Sequence, residues 1–522
     1  MTDLHIAVRK IASTNPATGE VVREFECASG AEVEAAVARA HAAQPAWAGL
    51  GVRQRIAVLR EFQGLLHQRK SEVAALVTRE AGKPYVEALL TEVLVVLDAA
   101  RFLIDNAYRM LRDEPVPHGS LVMKTKSGHL IREPHGVIGI ISPWNYPFSI
   151  PATESLAALV AGNAVVLKPS ELTPLTAMEL ASLLHQSGVP EGVFQVVLGD
   201  GATGAALVNS ALDKMVFTGS VPTGRRIAQS AAERLLPVVL ELGGKDPMLV
   251  LDDADIEIAS RGAVWGAFVN AGQACLSVER CYVHRKLYEP FLEACVHHAR
   301  QLRVGNGMDP GTDVGPLIHQ RQLLHVEAQV EEARARGARL LVGGKRLPEI
   351  GANYYAPTVL ADVTHQMRIM REETFGPVLP VLPFDSDDEA VRLANDSEYG
   401  LAASIWTRDR ARGEALARSI QAGTVMVNDA VSCFGISEAP HGGVKASGIG
   451  RSHGRFGLEE MLRIKYLDSD RLAGMEKIWW YRYGSAFTRQ MEGMLDAQFA
   501  RSLSQRLRGA ARAVRALKGK HR

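Results

Sequence analysis

Four short segments carry side chains able to do chemistry. NAGQACLSVER, residues 270–280, holds Cys275 just ahead of a strand-like run, RCYVHR. A thiol is a nucleophile when ionised, although a lone cysteine is more often inert packing. SPWNYPF, 142–148, closes an apolar strand and offers the Asn145 amide as a donor, at the end of a strand where parallel sheets place ligands. It also reads as a proline-rich loop with a capping asparagine. ELGGKDP, 241–247, closes another strand and sets the carboxylate of Glu241 beside a tight glycine turn, in reach of base work or simply a surface acid. VLKPSE, 166–171, and FTGSVPTG, 217–224, each finish a strand with small or cationic groups before a helix, which suits a dinucleotide. There is no GxGxxG, and Gly219 and Gly224, five apart, are by themselves a weak dinucleotide signal.

These segments need elements to hold them. GVIGIISP, AGNAVVLKPS, GVFQVVLG, KMVFTGS and LPVVLELGG are continuous apolar runs separated by helical stretches, the texture of a parallel sheet covered on both faces. A second α/β stretch runs from about 252 to 440, with strands near 280–284, 339–342 and 402–406. Upstream, Ser29 and Glu32 have capping-box spacing ahead of a helix over 29–43. Residues 53–80 and 86–111 read as longer helices. SLVMKTKSGHLI, 120–131, reads as a hairpin with Ser127-Gly128 near its turn.

With 522 residues, two or three domains are expected. The 47% apolar and 22% charged residues are an ordinary globular composition, and no run reaches the roughly 18–20 apolar residues that span a bilayer. MTDLHIAVRK lacks the apolar core of a secretory signal. Five scattered cysteines (Cys27, Cys275, Cys281, Cys295, Cys433) argue against a disulfide framework and for a reducing, cytosolic setting. No cluster has zinc spacing, so no metal is expected.

PWN, KPSE, FTGS, ELGGK, GQxC and ExFGPV, in this order and spacing, resemble the aldehyde dehydrogenase superfamily. The resemblance runs from Asn15 to Asp468 and includes GKP at 82–84, NDSEYGLAASIW at 395–406, GTVMVN at 423–428 and GGVKASGIGR at 442–451. It implies that Cys275 attacks an aldehyde carbonyl, that the Asn145 amide and the Cys275 N–H stabilise the adduct oxygen, and that Glu241 activates water against the thioester. The thiol then needs a lowered pKa or a nearby base. Glu241 speaks against the CoA-acylating branch. Lys168, Ser170 and Glu171 match the group that holds the adenosine ribose; a carboxylate at 171 accepts ribose hydroxyls but repels a 2′-phosphate, so NAD is preferred to NADP. Gly219 and Ser220 match the pyrophosphate turn, Trp144 and Gly243 the cofactor cleft, and Glu373 and Phe375 the surroundings of the nicotinamide. The implied fold is α/β with two doubly wound parallel domains and a small bridging hairpin element. Residues 1–113 with 134–242 would bind NAD, 243–440 would be catalytic, and 114–133 with 441–470 would bridge subunits of a homodimer or homotetramer.

Where the family often has phenylalanine before its double glycine, His441 stands, either tuning the pocket or lying at the surface. Tyr146, Ile150, Val269, Ala274 and Leu276 are the nearest candidate lining residues; they favour an uncharged, hydrophobic aldehyde. A semialdehyde dehydrogenase of the succinic type would need a cationic pocket, and a non-catalytic binding protein on this fold would be marked by loss of Cys275, Glu241 or Asn145. The 471–522 extension is longer than the soluble branches usually carry. KIWWYRYG, 477–484, precedes a segment in which Phe499, Leu503, Leu507, Ala510, Val514 and Leu517 fall within about 40° of one line, with arginines opposite. Residues 497–522 hold eight of the basic groups and no acid. Such a segment fits peripheral contact with a membrane, or a helix packed on the protein or a partner subunit; it is too short to suggest nucleic acid.

Overall fold

In a computed structural model of the protein, residues 9–120, 123–477, 479–481 and 483–518 are described. Two sheets organise the larger unit, residues 1–113 and 131–465. The first has six strands in the order Gly448–Ile449, Val238–Glu241, Lys214–Thr218, Val137–Ile141, Ala164–Lys168, Phe194–Val196. All are parallel except the first. Lys214–Thr218 and Ala164–Lys168 lie on opposite sides of Val137–Ile141, so the winding direction reverses there and a crevice opens beyond the strand's carboxyl end. SPWN is the segment that enters it. The strands are Val/Ile/Leu runs buried almost throughout, as a sheet with both faces covered requires.

The second sheet has seven strands in the order Arg339–Val342, Thr358–Ala361, Val378–Phe384, Val278–His284, Asp246–Val250, Ala402–Trp406, Thr424–Val427, again parallel apart from one edge strand. Residues 242–245 pass directly from the carboxyl end of one sheet to the amino end of the other. Cys275 lies three residues before Val278 and Phe375 three before Val378. The chemistry-bearing loops therefore gather where carboxyl ends of the six-stranded sheet meet amino ends of the seven-stranded one.

The capping box forms: Glu32 N–H donates to the Ser29 hydroxyl and Ser29 N–H to the Glu32 carboxylate, and this helix continues to Gly49. The run expected as one helix over 53–80 is two, Val52–Gln68 and Lys70–Ala81. Arg69 stands between them out of helical geometry and ties to Glu72 and Glu179. The 86–111 stretch holds a π-helical turn, Leu89–Leu94, that carries Glu92 into the interior. There Glu92 pairs with buried Lys83 at 2.6 Å and accepts the N–H groups of Phe148 and Ser149, at the start of the helix that follows PWN.

Two expectations change. Ser127-Gly128 is not a turn but part of the strand Lys126–Pro134, with Gly128 paired to Val116. The glycine is required because a Cβ there would sit 2.5 Å from the Tyr466 hydroxyl. Residues 441–465, expected in the bridging element, belong to the larger unit; Gly448–Ile449 forms the edge of the six-stranded sheet because Gly448, at φ 148°, brings its backbone against the Leu240 carbonyl. The smaller unit contains the strand Glu114–Val116, whose Glu114, Pro115 and Val116 pair antiparallel with Leu130, His129 and Gly128, and a helical hairpin, Ser485–Phe499 and Leu503–Lys518.

Replacing Glu92 by alanine would strand a buried ammonium and two helix N–H groups, costing about 3–5 kcal/mol. Chemical denaturation should show that loss, and Glu92→Gln, which keeps an acceptor, should lose less.

Candidate active site

Cys275 hangs from a loop under unusual constraint. Asn270 and Ala271 take positive φ (52° and 55°), and Gly272 follows at 72°. A Cβ on Gly272 would lie 2.1 Å from the Gly376 carbonyl, so only glycine lets this loop lie against the Phe375–Pro377 segment. The Asn270 side-chain amide donates to the Asn145 carbonyl (3.0 Å) and the Gln273 carbonyl (3.1 Å). Asn145 donates from Nδ2 to the same Gln273 carbonyl at 3.0 Å. That bond uses one of its two amide hydrogens and leaves the other for a ligand.

Cys275, Asn145 and Glu241 line one cavity of about 240 Å³ together with Trp144, Ile150, Gly219, Ser220, Gly243, Glu373 and Phe375. A second, smaller cavity joins Cys275 and Glu241 to Ile150, Glu154, Phe434, His441 and His453. Burial pushes the Cys275 thiol well above its ordinary range, and the carboxyls of Asp246, Glu373 and Glu241 add to the effect. Of the two routes to a reactive thiol, a lowered pKa is therefore absent and a neighbouring base is needed. Glu241 is itself raised well above the usual carboxylate range, first by burial and then by the charge of Glu154. Glu154 is pushed to about 8 by burial, against the Thr218 hydroxyl that donates to it. Burial thus biases all three groups toward their protonated forms.

His441 is not at the surface. It is buried, its Nε2 lies 4.0 Å from Glu241, and its ring meets Phe434 edge-on at 5.1 Å. Burial, with His453 and Arg451 nearby, lowers its pKa to about 3, so the imidazole is neutral and makes no ion pair. Leu276 packs with Leu401, Ala402 and Cys433, and Cys275 rests against this cluster. Three candidate lining residues do not border either Cys275 cavity, although Tyr146 is near enough to feel the charge of Cys275. The Tyr146 ring takes the Lys83 ammonium at 3.8 Å, Val269 borders a different cleft beside Trp265, and buried Ala274 borders neither Cys275 cavity.

The first cavity shares Pro143, Trp144, Thr218, Gly219 and Ser220 with a cleft of about 570 Å³. Lys168, Ser170 and Glu171 line that cleft, with Lys168 and Glu171 3.5 Å apart. Ser220 precedes the helix Val221–Ala232, whose amino end is a natural phosphate site. Trp144 and Phe375 meet edge-to-face at 5.5 Å where the two spaces join. The Gly244 N–H donates to Glu373 at 3.1 Å, and a Cβ on Gly243 would lie 2.6 Å from that carboxyl. A cleft with the Glu171 carboxylate, a helix amino end and an aromatic pair beside the thiol fits a nicotinamide dinucleotide. The loop bearing Glu373 and Phe375 is itself held by Glu279, which accepts the N–H groups of Thr374 and Phe375 and pairs with buried Lys245.

Sequence reasoning missed Glu154, Phe434 and His453 near the base, and Arg226 and Arg321 in the cleft. None lies in one of the motifs quoted. His453, one residue past Ser452 after GGVKASGIGR, was the nearest to a readable signal.

Comparison with known proteins agrees. The model of the aldehyde dehydrogenase family matches residues 5–467. Betaine aldehyde dehydrogenase of Cereibacter sphaeroides is 43% identical over 86% of this chain and 92% of its own. The 4,4'-diapolycopene aldehyde oxidase of a Methylomonas species is 39% identical over 97% of this chain and 95% of its own. Aldehyde dehydrogenase of Bacillus cereus in its NAD+ complex superposes with a TM-score of 0.84 at 37% identity, covering 88% of this chain and 93% of that one. Motif order, paired sheets and cleft all lead to one assignment: the chain belongs to the aldehyde dehydrogenase family.

Proposed function

We propose that the protein oxidises an apolar aldehyde to its carboxylic acid, with NAD as hydride acceptor and Cys275 as nucleophile. The observation that carries this reading is the single cavity bordered by Cys275, Asn145 and Glu241 with no lysine or arginine among its described lining residues. The second Cys275 cavity has none either. A succinic semialdehyde enzyme needs a cation for the remote carboxylate, so that alternative is disfavoured. The Methylomonas relative, named for 4,4'-diapolycopene aldehyde, aligns over a span that must include most of the C-terminal extension, which supports the apolar reading.

Glu241 is the one carboxylate among the described residues that borders both Cys275 cavities. In its ionised form it takes the Sγ proton, directly or through water, as sulfur bonds to the aldehyde carbon. The oxygen of the resulting thiohemiacetal gathers negative charge, and the free hydrogen of the Asn145 amide donates to it. A dinucleotide held by Lys168, Glu171, Ser220 and Glu373 would supply the hydride acceptor. Loss of hydride leaves a thioester on Cys275. Glu241 gives the first proton up to solvent and then takes one from water, whose oxygen bonds to the acyl carbon; the C–S bond breaks, the acid departs, and Glu241 returns its proton to the Cys275 sulfur.

Substrate and roles are tested by NADH formation across linear aldehydes of rising length, betaine aldehyde and succinic semialdehyde. Rates per unit substrate should rise with apolar length; preference for either charged aldehyde would overturn the reading. Cys275→Ala should form no NADH, and Asn145→Ala should lower kcat by about 10²–10³. Because Glu241 works only when ionised and its pKa is raised, activity should fall on the acid side well above pH 4.5, the ordinary value for the group. Glu241→Gln should abolish that limb along with turnover of the thioester. For the cofactor, NAD should outperform NADP, and Glu171→Gln should narrow the gap about tenfold, the equivalent of ~1.4 kcal/mol; an unchanged ratio would remove Glu171 as the discriminator.

A further inference from the structure

The helical hairpin of the smaller unit is held together by its small residues. A Cβ on Gly493 would fall 2.6 Å from the Ala513 nitrogen, and one on Gly509 would fall 2.5 Å from the Ala497 nitrogen. Backbones thus cross in contact, with Gly509 and Ala513 on the inner face of Leu503–Lys518 and Arg512 paired to Asp496 at 3.1 Å. That inner face is not the apolar stripe. Phe499, Leu503, Leu507 and Val514 are 68%, 72%, 64% and 54% exposed. A helix that buries glycine and alanine while presenting its large apolar side chains outward has its hydrophobic partner elsewhere. The preceding segment adds exposed Trp480, Tyr481 and Tyr483, residue types that settle where apolar and wet environments meet.

Charge selects the partner. Residues 497–522 carry eight lysines and arginines and no acid, whereas residues 1–496 hold 51 of the 59 basic side chains and all 58 acidic ones. A second copy of the chain would bring two equally positive segments together. A polyanion such as nucleic acid would leave the apolar stripe uncovered. An anionic lipid surface satisfies both features, with the stripe entering the headgroup boundary and the net positive charge of residues 497–522 drawing the segment to the lipid phosphates. We propose that the hairpin Ser485–Phe499/Leu503–Lys518 docks on anionic membrane through the Leu503, Leu507 and Val514 face of its second helix. This rests on the hairpin alone and is independent of the aldehyde the enzyme prefers.

The test is co-sedimentation of the full-length protein with vesicles of equal parts phosphatidylcholine and phosphatidylglycerol, and with phosphatidylcholine alone, at low and high salt. Wild type should pellet with the anionic vesicles at low salt and largely leave them at high salt. Leu503→Glu with Leu507→Glu, and separately Arg508→Glu with Arg515→Glu, should each cut the bound fraction at least tenfold while far-ultraviolet circular dichroism keeps its helical signal. If the leucine pair fails to fold, the arginine pair carries the test. Wild type remaining in the supernatant, or both pairs pelleting like wild type, would overturn the proposal. So would light scattering in which the leucine pair lowers the mass of the free protein, since a second copy would then own the stripe.

Discussion

The arrangement depends on one problem: the thiol and the amide that must serve it come from different sheets. Asn145 ends a strand of the six-stranded sheet, and Cys275 precedes a strand of the seven-stranded one. Two side-chain amides bridge the gap, Asn145 donating to the Gln273 carbonyl and Asn270 to the Asn145 carbonyl, while the Gln273 amide braces its own loop by donating to the Asn270 carbonyl. The cost is a pair of non-glycine residues in left-handed geometry, each strained by about 1–3 kcal/mol. Such strain persists because buried amides that lost these partners would forfeit more. In the proposed reaction, rigidity at this junction aims a single amide hydrogen at an oxygen that exists only after sulfur has bonded.

A second pattern is the sorting of buried acids. Glu92 and Glu279 have lysine partners, Lys83 and Lys245, and accept backbone N–H groups that fix loops. Glu154, Glu241 and Glu373 lack such a direct partner and are pushed up by burial. Lysine-paired acids build the frame. The unpaired ones surround the thiol, where a change of protonation can be part of a reaction.

Much of this was legible in the sequence. The strand runs predicted parallel sheets because an unbroken β-branched run has no polar face to offer water and must be covered on both sides. Ser29/Glu32 predicted a capped helix start because both partners are local. Cys275, Asn145, Glu241 and the Lys168/Glu171 pair stood out because each closes or precedes a strand, where a turn residue is presented to a crevice. Ser127-Gly128 misled because a glycine demanded by a ring from residue 466 looks the same as one demanded by a turn. Tyr146, Val269 and Ala274 are neighbours in sequence of site residues, but in the irregular loops at 142–148 and 269–277 adjacency along the chain does not fix which cavity a side chain borders. Phe434, His453 and Glu154 could not be found locally, since their closeness to Glu241 exists only once strands and loops far apart in the chain have packed. The exposure of the tail's stripe likewise depended on knowing that glycines, not leucines, make its helix contact.

The raised thiol of Cys275 has a consequence for the lifetime of the protein. Peroxides and electrophiles attack the thiolate, not the thiol. Burial among Asp246, Glu373 and Glu241 biases this proposed nucleophile toward the thiol, the form least open to the sulfenic and sulfinic acids that end the career of more acidic cysteines. On the proposed mechanism the enzyme forgoes a permanently armed sulfur, and in exchange the sulfur it arms on demand is still there to be armed.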